Sequence, residues 1–435
     1  MASILVCATP AHGHIAAVLP VARHLHGAGH DVRFLTGRRY ADRVRAAGIE
    51  FLPLPEEADL DLDDVDEAFP ERAALKPIPQ LRFSLTELFI RPALAQVRAI
   101  EAAHAERPVD VVVTEMMFIG AAALVRRPRA ERPAVLTLGI APLAARDPDV
   151  APYGLGIPPS RAPFGRLRNR VLGAVAGRIF APVTRAAVDA FRAINGSTPE
   201  RFSIFDVPGN TDLLLQFTVP GFEYPRSTLA DNVRFIGPMS RTAASDQPVP
   251  DWWGDLDGGR PVVHVTQGTI SNRDFSHLVR PTIDALADED VLVVATGGGQ
   301  PVDALGPLPA NARAAAYLPY DRLFPRLSAF VTNGGYQGLH FALEHGVPVV
   351  AAGTGEDKLE TTARVGWSGA GINLRTARPK PEAIRDAVRA VLVRPSYREA
   401  SARIGAEIAA SAGLTGVDRA IAHLLGATAR PSEAA

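Results

Sequence analysis

Two separate series of short apolar runs, each run followed by a loop and then by helical apolar spacing, constrain this chain more than any other feature. The first opens with Ile4-Leu5-Val6-Cys7-Ala8 and turns through a loop from Thr9 to His14. From Ile15 it continues with Val18, Leu19, Ala22 and Leu25 at helical spacing. Gly27 and Gly29 stop that helix before Val32-Arg33-Phe34-Leu35 begins the next run. Strand, helix and strand in this order form a βαβ unit, which implies a parallel sheet whose ligand site lies beyond the carboxyl ends of its strands. Val109 to Thr114, ending at Glu115, and Ala134 to Leu138 extend the series, so Glu115 is expected at the same sheet edge as His14.

The second series comprises Val262 to Thr266, Val291 to Ala295, Ala329 to Thr332 and Val347 to Ala351. Between the two lie residues 238–254, rich in Pro, Ser and Ala and without apolar periodicity, the composition of a linker. The expected fold is α/β, with two doubly wound Rossmann-like domains facing a central cleft. Residues 1–237 form the first domain, 255–405 the second, and 406–435 a terminal helix that can pack back on the first domain, followed by a frayed tail. A length of 435 residues agrees with two cores.

Charge excludes some partners. Lys and Arg number 46 against 47 Asp and Glu, and a net charge of -1 gives no basis for holding nucleic acid or an anionic membrane. The single Cys7 can form no internal disulfide, which points to a reducing, cytoplasmic setting. The run Ile4 to Ala8 is too short for a signal peptide or a membrane span, so no membrane insertion is expected.

Thr332-Asn333-Gly334-Gly335-Tyr336 puts two glycines between a strand and an amphipathic helix. Such a helix end directs amides and dipole at its loop and suits a phosphate, although glycines there also make plain tight turns. Gln267-Gly268-Thr269-Ile270-Ser271 offers a second glycine turn with hydroxyls, which also reads as a helix cap. Glu356-Asp357-Lys358 reads by itself as a solvated charged turn. His12, His14, His24, His26 and His30 suggest a metal site, but His24 and His26 fall on different helix faces and no Cys or nearby Asp completes the set, so no metal is expected. The acidic run from Glu56 to Glu67 reads as a solvated mobile loop.

Tyr317-Leu318-Pro319-Tyr320, Asn333-Gly334-Gly335, His345-Gly346-Val347-Pro348 and Glu356-Asp357-Lys358, in unbroken register from Tyr317 to Lys358, resemble the donor signature of glycosyltransferase family 1. Ala11-His12-Gly13-His14-Ile15 is similar to that family's opening motif. The resemblance implies a GT-B fold and an inverting, metal-independent glycosyltransferase of bacterial natural-product type. It implies no cofactor, only a nucleotide diphosphate sugar (dTDP- or UDP-sugar) as co-substrate and a small, largely apolar acceptor.

Position by position, the resemblance implies that Tyr317 stacks on the nucleobase and that the Leu318 backbone bonds it. Gly268, Thr269, Asn333, Gly334 and Gly335 meet the diphosphate, while Asp357 and Lys358 hold sugar hydroxyls. Asn333 stands for the usual His, Lys358 for the usual Gln, and Phe341 for the Glu that many members set against the ribose, a departure that favours a deoxyribose donor. His14 takes the catalytic-base position, ahead of His12, and Glu115 stands where an Asp usually orients that base. Phe83, Phe89, Met116, Met117 and Phe118 are the expected acceptor walls, each of which also reads as ordinary core. A catalytically silent sugar-nucleotide-binding helper protein and a sugar-nucleotide epimerase remain as alternatives, and a homodimer is left open.

Overall fold

The computed structural model describes residues 1–63, 65–160, 162–197, 202–239, 245, 247–269 and 272–428, with only the backbone for 427 and 428. The Ile270 and Ser271 hydroxyl turn, much of the linker and the end of the tail therefore lie outside the described residues.

Strands β1 (Ser3–Cys7), β2 (Asp31–Thr36), β3 (Glu50–Pro53), β4 (Val111–Glu115), β5 (Ala134–Gly139), β6 (Leu213–Gln216) and β7 (Val233–Phe235) form the first sheet, in the order β3-β2-β1-β4-β5-β6-β7. The second sheet comprises β8 (Val262–Thr266), β9 (Leu292–Thr296), β10 (Ala312–Ala315), β11 (Ala329–Thr332), β12 (Val349–Ala351) and β13 (Gly371–Asn373), ordered β10-β9-β8-β11-β12-β13. Every pairing is parallel. Helices cover both faces: Ile4 and Val6 enter one core of the first sheet, Leu5 and Cys7 the other, as alternation along a strand requires.

The direction of winding reverses between β1 and β4 in the first sheet and between β8 and β11 in the second. A crevice opens at such a reversal, because the connections on either side lead away from each other. The loop after β1, the end of β4, and the loops after β8 and β11 are thereby the four segments that topology brings to ligand-binding edges.

The two units interlock. Val219 and Phe222, which lie between β6 and β7 of the first sheet, are buried in the core of the second. The last helix, Leu414–Thr428, returns Val417, Ala420, Ile421 and Leu424 to the core of the first. The expected boundary at 405/406 cuts through a continuous helix, Pro395–Ala410, and the linker's end, Asp251–Asp257, is a 3-10 helix whose Trp252 and Trp253 pack on the second core. Gly413 N donates to Ile236 O at 2.6 Å where the two crossings meet. Among the described residues no single helix is long and apolar enough to cross a membrane.

Candidate active site

His14 does not end a loop; it lies in the first turn of the helix His12–Gly27, which begins earlier than apolar spacing alone indicates. No side chain at Ala11 caps this helix. Instead Asp63 Oδ1 accepts the His12 amide at 2.6 Å, a cap supplied from a distant segment. Asp59, Asp61 and Asp63 are fixed by Arg38, Arg39 and the Tyr40 hydroxyl, so this part of the acidic run is a built contact and not a solvated mobile loop.

The His14 Nδ1 lies 3.0 Å from Glu115 Oε2. The extra methylene of Glu115, relative to Asp, is accommodated at both oxygens. Oε1 accepts from the Thr9 amide at 3.2 Å and the Thr9 hydroxyl at 2.6 Å, and Oε2 accepts from the Met117 amide at 2.7 Å. Burial pushes the Glu115 carboxyl up; His14 and these donors outweigh it and hold Glu115 below the ordinary carboxylate range. Burial likewise pushes His14 down, and Glu115, with smaller help from Asp357 and Asp63, leaves its pKa raised. A carboxylate can only accept, so Nδ1 carries the proton in the neutral ring and Nε2 is left as the base. His12, the competing base, is exposed.

Asp357 belongs to the second domain and lies near enough to His14 for each to shift the other's titration. Its side chain keeps partial exposure, yet the surrounding walls remove most of its water, and this desolvation raises its pKa to about 6. It precedes the helix Lys358–Ser368 and makes no capping bond to it, so its oxygens are not committed to that helix end. Lys358 is buried, and its ammonium pairs with Glu356, which sits in the left-handed region at φ 53°. The extra charge at this position is thereby compensated within the same turn.

The glycine loops after β8 and β11 are alike. Thr266 Oγ1 accepts the Gly268 amide at 3.1 Å and Thr332 Oγ1 accepts the Gly334 amide at 3.2 Å, with φ of +73° and +90° at the two glycines. Asn333 Nδ2 donates to Gln267 O and ties the two turns together. The Gly334 amide is thus already engaged, contrary to the expectation that it points free at a phosphate. Its part is close approach, since a Cβ there would lie 2.5 Å from Thr362 Cγ2. Leu339 is the first residue of the following helix whose amide reaches a carbonyl, that of Gly335, which leaves the preceding amides of the helix Tyr336–Glu344 as donors. Thr269 is exposed.

Sequence reasoning missed the third wall of this cradle. Gly297-Gly298-Gly299 follows β9, and Asn272 Nδ2 donates to Gly297 O and Gly298 O, both at 2.8 Å. Three consecutive glycines after an apolar run were the available signal. Tyr317 packs its hydroxyl over Gly299 and remains 50% exposed, so an aromatic face is open. Leu318 turns inward and is buried. Phe341 stacks on Phe324 and meets Tyr320 edge-on, which presents an aromatic cluster where a ribose-binding carboxylate was considered.

On the acceptor side, Phe83 packs edge-on against Phe69, and Phe89 and Met117 pack on a core of the first domain while remaining partly exposed. Met116 lines a small cavity with Glu115, Ile119, Thr137 and Val207. Phe118 lines the same cavity, although at 1% exposure it is also packed into a core of the first domain.

Similarity to known proteins agrees with this geometry. Residues 280–424 match the family described as the erythromycin biosynthesis protein CIII-like C-terminal domain. The chain is 42% identical to 4'-demethylrebeccamycin synthase of Lentzea aerocolonigenes over 410 residues, 94% of this chain and 96% of the relative. It is 33% identical to UDP-glycosyltransferase 2 of Phaeomoniella chlamydospora, covering 95% of this chain and 94% of that one. The crystal structure of the calicheamicin glycosyltransferase CalG4 shares the fold with a TM-score of 0.70 at 22% identity, over 99% of this chain and 100% of that one. The glycotransferase of kitacinnamycin does so with a TM-score of 0.73 at 19% identity, over 97% and 98%. The chain belongs to glycosyltransferase family 1, as a GT-B enzyme of the natural-product type that takes its sugar from a nucleotide-sugar co-substrate.

Proposed function

We propose that this enzyme transfers a sugar, with inversion, to a hydroxyl group of a small and largely apolar natural product. His14 acts as general base through Nε2, Glu115 orients it, and Asp357 with Lys358 holds sugar hydroxyls. The carrying observation is the 3.0 Å approach of His14 to a buried, multiply bonded Glu115, with Asp357 of the other domain close by. As the acceptor oxygen bonds to the anomeric carbon, the carbon–oxygen bond to the diphosphate breaks and the acceptor proton passes to His14. The free amides of the helix Tyr336–Glu344 and Thr269 stabilise the departing diphosphate without a metal. The aromatic Phe341 offers no acceptor for ribose hydroxyls and favours a dTDP-sugar, while relatives named UDP-glycosyltransferase keep a UDP-sugar in the comparison. The relative named 4'-demethylrebeccamycin synthase supports a natural-product acceptor. The buried, unpaired Cys7 supports a reducing cytoplasm.

Thermal unfolding with dTDP, UDP and GDP tests the donor reading. A nucleotide at about a hundred times its Kd adds about 2.7 kcal/mol to the folded state. Stabilisation by dTDP above UDP is expected. Equal or absent stabilisation by all three would remove the donor assignment.

The pH profile tests the base and its partner together. Because Glu115 raises the His14 pKa, kcat/KM is expected to climb as pH rises through a value above that of an ordinary imidazole. Glu115→Gln removes the attraction and leaves burial in charge, so its rising limb should move to lower pH while the plateau falls by at least about tenfold. An unmoved limb would show that Glu115 does not act through His14.

A further inference from the structure

The segment Tyr153 to Gly156 belongs to the first domain but reaches the first turn of the helix Lys358–Ser368. Glu360 Oε1 accepts both the Gly154 amide, at 2.8 Å, and the Gly156 amide, at 3.0 Å. Glu360 Oε2 accepts from Arg364 Nη1 at 2.7 Å, and Arg364 Nε donates to Glu223 Oε1 at 2.9 Å. Glu223 Oε2 in turn accepts the Leu143 amide at 2.9 Å, back in the loop that leaves β5. The side chains of Glu223, Glu360 and Arg364 are at most 6% exposed.

Close packing adds to the charges. Gly156 has φ +59°, and a Cβ there would lie 2.6 Å from Leu359 O, so the loop sits directly on the helix backbone. Tyr153 stacks with Phe205, and its hydroxyl feels Asp357 and Glu360 after the larger effect of burial. One loop of the acceptor domain is thus seated beside the residue that faces the donor sugar.

We propose that Glu360 is a positioning residue that seats the Tyr153 to Gly156 loop against the Asp357 turn, so that loop and acceptor, rather than water, cover the anomeric carbon. The proposal rests on the assignment of Asp357 and His14 above. Transfer and hydrolysis break the same bond between sugar and diphosphate. In transfer the acceptor oxygen forms the new bond and gives its proton to His14; in hydrolysis a water oxygen does so, leaving free sugar and nucleotide diphosphate. A lifted loop admits water and loosens the acceptor while the nucleotide cradle after β8, β9 and β11 stays intact.

The test uses the full chain with a nucleotide sugar and acceptor that the wild type accepts, and measures glycoside and free sugar together. Glu360→Ala should raise the ratio of free sugar to glycoside and the acceptor KM by about tenfold, the scale expected for a small misplacement. The Kd for the nucleoside diphosphate alone should not change. Glu360→Gln keeps an oxygen for both glycine amides but turns its NH2 towards the Arg364 guanidinium, so it should lose stability yet partition between wild type and Glu360→Ala. Gly156→Ala leaves the buried charges in place and displaces only the loop; it should reproduce Glu360→Ala, and it decides the matter if Glu360→Ala does not fold. Wild-type partition and acceptor KM in Gly156→Ala would overturn the loop assignment alone. A wild-type chain that transfers from no sugar nucleotide would overturn the reading of the site, and the loop assignment with it.

Discussion

Replacing His14 by alanine is expected to reduce glycosyl transfer by about two to four orders of magnitude, the usual span for removing a general base. The expectation follows from the arrangement of both ring nitrogens. Nδ1 faces a carboxylate fixed by Thr9 and Met117, so the ring is held in the tautomer that leaves Nε2 basic. No other side chain with the same support stands in this first helical turn, since His12 is exposed and only its backbone amide is engaged, by Asp63. His12→Ala should therefore retain most of its activity. The loops proposed to bind the nucleotide lie in the other domain, so His14→Ala should bind nucleoside diphosphate as the wild type does. Single-turnover transfer with saturating donor and acceptor separates chemistry from product release. Normal transfer in His14→Ala would sink the base assignment.

Arg364→Ala is expected to cost about 3 to 5 kcal/mol of stability, because it strips the buried Glu360 of its cation and leaves the buried Glu223 with Arg226 alone. Its guanidinium bonds Glu223 and Glu360 and lies 4.1 Å from the centre of the Tyr224 ring, where the cation and the ring face attract. In the intact chain burial pushes Glu223 up, and Arg364, followed by Arg226, outweighs it and holds Glu223 low. That stabilisation is present above the unfolded carboxylate pKa and fades as pH falls through the folded one. Without Arg364 only Arg226 opposes burial, so the folded pKa of Glu223 rises, and the penalty is fully present above that value and shrinks as pH falls through it. Denaturant unfolding of wild type and variant at pH 8 and pH 5 should show the larger difference at pH 8. A difference independent of pH would mean that lost packing, and not the stranded carboxylates, causes the instability.

Most central strands were legible because a strand covered on both faces is a continuous apolar run, as in Val111 to Val113 or Leu292 to Ala295, although β6 carries such a run, Leu213 to Leu215, and was not read. The edge strands Glu50–Pro53, Ala312–Ala315 and Gly371–Asn373 were not, since a half-covered or glycine-bearing edge lacks that run. Glu115 and His14 were placed at one sheet edge by strand order, and the reversal between β1 and β4 explains why they meet. The early start of the helix His12–Gly27 was hidden because its cap is Asp63, 51 residues away. The seating of the Tyr153 loop was hidden for a similar reason: its partner Glu360 is 206 residues from Gly154, and nothing local marks either as a contact. The resemblance supplied residue roles, but not the engaged Gly334 amide.

The chain crosses between its two units twice, and the crossings touch where Gly413 bonds Ile236 and where a Cβ on Gly237 would strike Ser411. A body joined to another by a single thread can swing or slide in many directions. Two threads bound side by side leave essentially one easy motion, a rotation about the line through the shared point. A hinge of that kind would let the mouth of the site widen while its far edge stays registered. Removing the last helix, Leu414–Thr428, would free that second thread as well as strip Val417, Ile421 and Leu424 from the first core.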